Sequence, residues 1–211
     1  MATSKRRVSK QPGKFHHGDL RWALLEAASR LLDQYGPLGV GLRAAARLAG
    51  VSQTAPYRHF ADKEALLAAL AEQGLVDLGD RLQAAVREAG EPGAALLAIA
   101  RTYVMTAKAR PQLFRLMFGP EVADKVRYPE VRNAGERAFD VLVEAIAAAQ
   151  RAGAVRPGDP VEMAVAHWSA VHGFASLIVD GRLTRQVELA GGVAELGARL
   201  AGHLRLGMAP R

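Results

Sequence analysis

Apolar residues recur at helical spacing along nearly the whole chain, and no stretch alternates with the two-residue period of a strand. Leu20, Leu24, Ala27, Ala28 and Leu31 mark a first helix from 18 or 19 to 35, ended by Gly36-Pro37. A short helix over 42–49, the turn Gly50-Val51-Ser52 and a second short helix follow. Asp62 stands where it would cap a long helix over 63–89. The early leucines of that helix, Leu66, Leu67 and Leu70, belong with the first helices; the later Leu75, Leu78 and Leu82 reach a second module. Proline punctuates the remainder into helices at about 92–109, 111–118, 129–152, 160–180 and 184–206, with a short turn near 120–126. Glu91-Pro92 and Asp159-Pro160 each read as a cap followed by a first-position proline. The pattern predicts an all-α chain: a segment 1–16 without helical period, a three-helix module 17–70, and a helical domain 71–211 joined to it by the long helix.

The turn at Gly50 gives the first module its character. Glycine accepts the positive φ that ends a helix, and Ser52 can accept from the first free amides of the next one. Pro56 falls in the first turn of that second helix, where it removes at most one ladder bond. Two helices joined this tightly form a helix-turn-helix, whose second helix enters the DNA major groove. Gln53, Thr54, Tyr57 and Arg58 fall within roughly 140° of one another around a helix, on one polar face, with Pro56 and Phe60 turned inward.

The string Ala46-Arg47-Leu48-Ala49-Gly50-Val51-Ser52, then Tyr57-Arg58-His59-Phe60, then Asp62-Lys63-Glu64-Ala65-Leu66-Leu67, resembles the TetR/AcrR family of bacterial transcriptional regulators. Downstream, Trp168-Ser169-Ala170-Val171-His172-Gly173, with Leu177 and Asp180-Gly181, is similar to the WHG-type effector domain of one branch of that family. The chain departs from the family pattern at Gly41 and Leu42, where relatives often place Thr or Ser, at Ala45, customarily Ile or Leu, and at Ala55, often Thr.

The resemblance implies a homodimeric regulator that binds a palindromic double-stranded operator and responds to a small-molecule effector. It assigns Gln53 to an adenine edge, Arg43 to a guanine and Thr54 to a thymine methyl or base edge, roles these side chains can fill. It gives Tyr57, His59 and Lys63 to phosphates, and Arg58 shares their face. Lys63 also opens a helix, whose free amides favour an anion. Tyr103, Met105, Phe114, Met117, Phe118, Trp168 and His172 are the candidate linings of an apolar effector pocket. The family pairs its last two long helices across a two-fold axis. Here those are 160–180 and 184–206, the second carrying a stripe from Leu189 to Leu204 beside small residues.

Charge strengthens the nucleic-acid reading. Residues 1–70 carry 11 Lys and Arg against 5 Asp and Glu, whereas residues 71–211 carry 17 against 16. The excess therefore sits with the helix-turn-helix, where a polyanion would bind. Residues 1–16, with Lys5, Arg6, Arg7, Lys10 and Lys14, have the composition of a disordered arm that can lie along phosphates or enter a minor groove.

Half of the residues are hydrophobic and 6% are aromatic, a balance suited to helices with a sizeable core. There is no cysteine, hence no disulfide framework, thiolate metal site or thiol chemistry. No apolar run approaches the ~18–20 residues of a membrane span, and the basic N-terminus lacks the apolar core of a secretory signal. A cytoplasmic location, without membrane contact, is the expectation. His167 and His172 are five apart, about 140° around a helix, and so do not form an i, i+4 metal pair. No catalytic, metal or cofactor motif is present, and no enzyme is expected. A repressor released by a small apolar molecule is the leading function. A sequence-tolerant nucleoid-type DNA-binding protein, or a ligand-binding protein with a degenerate DNA motif, are its alternatives.

Overall fold

The computed structural model describes residues 17–122 and 126–209, so the basic arm 1–16 lies outside the described residues. All regular structure among them is helical. The helices are α1 (His17–Gly39), α2 (Leu42–Leu48), α3 (Lys63–Ala89), α4 (Pro92–Ala109), α5 (Pro111–Phe118), α6 (Pro129–Arg151), α7 (Pro160–Val179), α8 (Thr184–Ala190) and α9 (Val193–Gly207). Two short 3-10 turns, Ala55–Arg58 and Pro120–Val122, complete the described elements. No helix among them is long and apolar enough to cross a membrane.

Local chemistry explains most boundaries. Pro92, Pro111, Pro129 and Pro160 each occupy the first helical position, where the missing N–H would have no helical partner. Asp62 caps α3 by accepting from the Ala65 amide at 2.8 Å, and Asp159 caps α7 through Val161 at 2.7 Å. Glu91 occupies the cap position of α4 but makes no side-chain cap bond. Gly41, at the start of α2, has none to offer either, and its backbone is simply extended.

Three expectations require correction. The second helix of the helix-turn-helix is a four-residue 3-10 turn, Ala55–Arg58. Pro56 supplies no N–H there, the Ser52 hydroxyl meets Thr54 Oγ1 at 3.2 Å instead of capping amides, and Asp62 begins α3 soon after. The final helix is not continuous: Gly191 and Gly192, at φ 85° and 131°, break it into α8 and α9. Leu189 is thereby separated from the leucine stripe and stands exposed. The first helix is expected to end at Gly36-Pro37; Gly36 instead kinks it with non-helical backbone, and a further turn carries it to Gly39.

Leu24, Leu32, Ala45, Ala46, Phe60 and Leu66 close the core of the N-terminal module. α3 runs out of it and packs along α4, α5 and α6. Its Leu75, Leu78 and Leu82 are buried in the second bundle, where α7 lies across α4 and α6 and α9 covers α4. One hydrophobic cluster extends unbroken from Leu24 to Ala201.

Two glycines in α3 have opposite environments. A Cβ at Gly74 would stand 2.7 Å from Met117 Sδ and 3.1 Å from Leu113 Cδ1, whereas at Gly79 the nearest atom is an Ala138 Cα at 3.6 Å. Alanine gains ~1 kcal/mol over glycine in a helix interior. Gly79→Ala should therefore stabilise by up to ~1 kcal/mol, while Gly74→Ala should destabilise by about 1–2 kcal/mol through overpacking against α5. Urea titration of both variants checks this, and a gain at Gly74 would show that α5 yields freely.

Candidate functional site

The N-terminal module presents a cationic face assembled by the turn. Gly50 has φ 70°, and the Val51 amide returns to the Ala46 carbonyl at 3.0 Å, which ends α2 and redirects the chain. Gln53, Thr54, Tyr57 and Arg58 are exposed, while Pro56 and Phe60 are buried beneath them. Arg43 and Arg47 are exposed on α2, and Lys63 at the start of α3. Lys63 Nζ donates to the Leu38 carbonyl at 3.3 Å, which holds the amine beside the α1–α2 junction. Arg21 lies over the Phe60 ring, 5.5 Å from its centroid. His59 is half-buried, and its Nε2 has no hydrogen-bond partner among the described residues.

The module is fastened to the rest of the chain by ion pairs. Arg127 bonds Glu64 at 3.0 Å and also pairs with Asp62, the α3 cap. The bond from Ala65 and then that guanidinium hold the Asp62 carboxyl below its ordinary range. Arg110, between α4 and α5, donates to Ser29 Oγ at 2.7 Å and to the Asp33 carboxylate at 2.8 and 3.0 Å, both on α1. Arg115 on α5 bonds Asp180 and the Val179 carbonyl at 2.9 Å, at the C-terminal end of α7. α5 is thus pinned to α1 at its start and, through Arg115, to the C-terminal end of α7.

Between α3, α4, α5, α6 and α7 lies a cavity of about 360 Å³. Leu75, Leu78 and Leu82 form one wall, and Phe139 and Leu142 of α6 face them. Of the candidate linings, Tyr103, Met117, Phe118 and Trp168 border this space. Phe114 and His172 do not. They stand one layer behind, where His172 packs against Phe118 at 4.8 Å and Phe114 against Tyr103 at 6.0 Å between ring centroids. The Tyr103 hydroxyl accepts from the Trp168 indole at 3.4 Å and shares a 2.8 Å bond with His172 Nδ1. Burial pushes the Tyr103 phenol up and the His172 imidazole down, so both are neutral at pH 7. Met105 is 41% exposed and lies in a separate surface groove between α4 and α9.

From the sequence His167 is weighed only as a metal partner of His172 and is not placed at the cavity. It borders the cavity, is 4% exposed, and both ring nitrogens lack a hydrogen-bond partner among the described residues. Burial lowers its pKa to about 4. The signal available was its spacing: it falls four residues after the buried Met163 and four before the buried Val171, on the inward face of α7. Phe139, Arg132 and Glu136 of α6 were missed as well; the latter two form an exposed i, i+4 pair at 3.7 Å that also borders the cavity.

Two family models match separate parts of the chain. Residues 24–70 match the family model described as bacterial regulatory proteins of the TetR family, and residues 96–203 the tetracyclin repressor-like C-terminal domain. The fold is similar to that of a protein of unknown function from Rhodococcus sp. RHA1, with TM-score 0.79 and 35% identity over 94% of this chain and 100% of that one. The sequence is 31% identical over 142 residues to an HTH-type transcriptional regulator of Mycobacterium tuberculosis, covering 65% of this chain and 60% of that protein. An uncharacterized regulator of the same type from that organism is 31% identical over 90 residues, 43% of this chain and 45% of its own length. The chain thus spans about half the length of the curated relatives it matches. Two family models in the family's own order, carried on a helix-turn-helix head and a helical C-terminal bundle, give one conclusion: the chain belongs to the TetR family of DNA-binding transcriptional regulators, which are not enzymes.

Proposed function

We propose that the chain is a one-component, ligand-responsive repressor in the cytoplasm, released from a palindromic operator by a small apolar molecule. The observation that carries this reading is the shared framework: α3 begins beside the cationic turn and ends as a wall of the apolar cavity. α5 gives a second connection, because its Met117 and Phe118 border the cavity while Arg110 grips α1. An effector that shifts α5 or α3 would tilt the turn. A coupling of ~1–3 kcal/mol is enough to change occupancy between severalfold and a hundredfold.

The reading assigns Arg43, Gln53 and Thr54 to base edges and Tyr57, Arg58, His59 and Lys63 to phosphates and orientation. In a homodimer built through α7 and the α8–α9 region, two such turns would meet one face of the operator about one DNA turn apart, ~34 Å. Exposed Val161, Val165 and Leu177 on α7 support that face. The α9 leucines give it less support, since Leu196, Leu200 and Leu204 pack on the protomer's own core.

The test is selection of random duplexes by the full chain at near-physiological salt, followed by binding of variants to the recovered site. Gln53→Ala should relax base preference at one position, with ~1–3 kcal/mol less discrimination. Lys63→Ala should instead weaken all duplexes alike and shallow the salt dependence by about one charge. Recovery of bound DNA without any consensus would replace this reading with the sequence-tolerant one. No bound DNA from chain shown to be ligand-free would replace it with a ligand binder whose motif is degenerate.

A further inference from the structure

The mouth of the cavity, more than its interior, carries the chemistry that narrows what it can hold; this inference rests on the reading of that space as the effector site. Inside, the polar atoms are not on offer. The Tyr103 hydroxyl is engaged by Trp168 and His172, and both ring nitrogens of His167 are sealed from open space. The rest of the inner wall is largely hydrocarbon, with Leu75, Leu78 and Leu82 facing Phe139 and Leu142. Leu75 to Leu82 spans about 10 Å along a helix, the length of a chain of about eight carbons. Gly135 lies against Leu75 and Gly79 against Ala138, so α6 runs beside α3 in the same direction. Arg132 therefore stands at the Leu75 end of this slot and Leu142 at the Leu82 end.

Three of the bordering residues are exposed, Arg132 and Glu136 on α6 and Val165 on α7, and they mark the opening between those helices. Arg132 and Glu136 pair loosely, Nε to Oε1 at 3.7 Å, which is beyond hydrogen-bond reach. The two terminal nitrogens of Arg132 are left to bond a carboxylate in parallel, the recognition for which a planar guanidinium is shaped. Glu136 gives a cationic head a weaker hold. Its side chain is the more exposed of the two, 64% against 52%, and an ammonium sheds its water less readily than a guanidinium. The geometry points to a medium-chain monocarboxylic acid as the effector, its hydrocarbon body along α3 and its carboxylate on Arg132 at the mouth.

Octanoate, octanol and octylamine share one chain and differ in the charge of the head at pH 7. Each is titrated calorimetrically into the full chain at near-physiological salt. Octanoate should bind roughly tenfold tighter than octylammonium. Arg132→Gln should weaken octanoate roughly threefold to tenfold, through loss of a half-exposed bidentate pair, and leave octanol unchanged. Glu136→Gln should strengthen octanoate roughly twofold by removing the neighbouring anion. Both side chains are exposed, so neither variant disturbs the core, and octanol binding reports that each keeps its cavity. Lengthening hexanoate to octanoate should gain roughly 15-fold, the worth of two buried methylenes. Octylammonium as the tighter ligand, or an Arg132→Gln variant in which octanoate loses no more than octanol, would overturn the carboxylate assignment while leaving the cavity as the effector site. A flat length series would overturn it by showing that the head binds at the surface with its chain outside. Absence of binding by all three would overturn it too, and the effector reading would then be decided separately, by whether any apolar compound releases the selected operator.

Discussion

Replacing His167 by leucine is expected to stabilise the chain and to flatten its response to mild acid. In the folded protein the imidazole is buried, with a pKa of about 4, against 6.5 when exposed. The unfolded chain therefore binds a proton between these values that the folded chain refuses, and stability must fall as pH falls. Above pH 6.5 both states are neutral at this site and its contribution is flat. Between pH 7 and pH 5 the linkage removes about 2 kcal/mol, and about 3 kcal/mol by pH 4. His172, lowered in the same direction by its burial, adds to this fall. The charged groups near His167 are Arg132 and Glu136 at the cavity described above and, in a second cavity between α7 and α9, Arg156, Asp159 and Glu162 with His203; none bonds the imidazole. The leucine variant loses this term. It should be more stable by ~1–2 kcal/mol at pH 7, through removal of an unpaired polar group, and its advantage should grow to about 3–4 kcal/mol at pH 5. Urea titrations at the two pH values measure both numbers. Parallel losses in variant and unaltered chain would show that the imidazole is protonated inside the fold.

The sequence context of His167 gave no sign of this cost. On a helix wheel His167 sits between Met163 and Val171, where a histidine reads as an interruption of an apolar face. Nothing in that pattern says whether a neighbour answers its nitrogens. The same limit separates Phe118 from Phe114: both lie on α5, yet only Phe118 borders the cavity, and which turn faces that space is set by tertiary packing that helical spacing does not encode. Helix boundaries, by contrast, were legible wherever they rest on one residue's covalent chemistry. Pro92, Pro111, Pro129 and Pro160 open helices because they lack an N–H, and Asp62 caps α3 with its own carboxylate. The Gly191-Gly192 break was hidden because Leu189, Val193, Leu196, Leu200 and Leu204 keep helical spacing straight across it. The motif strings likewise identified the turn at Gly50 correctly but overstated the length of the element after it, since the exposed face of Gln53, Thr54, Tyr57 and Arg58 needs only a single 3-10 turn to present it.

Leu66→Ala should lower the melting temperature of the entire chain in one transition. Leu66 is fully buried near the start of α3, in the module that carries the cationic turn. Truncating a leucine at such a site costs about 3–4 kcal/mol, the lost transfer energy plus an unfilled cavity. For a chain of this size that corresponds to roughly 6–16 °C. Whether the loss stays local depends on how the two modules are joined. α3 is shared by both, its buried leucines run from Leu66 through Leu82, and the hydrophobic cluster has no gap between α1 and α9. The ion pairs at Arg110 and Arg127 add little by themselves, being half-exposed, but they hold α1 and the start of α3 against the bundle. A helix that is half cavity wall and half DNA-module core leaves the head no separate way to melt, and that rigidity is what an effector at the other end would need in order to act on the turn. Scanning calorimetry at fixed protein concentration should therefore show one peak displaced downward. Two peaks, with only the first displaced, would mean that the head unfolds alone, and α3 would then be too compliant to transmit a signal from the cavity.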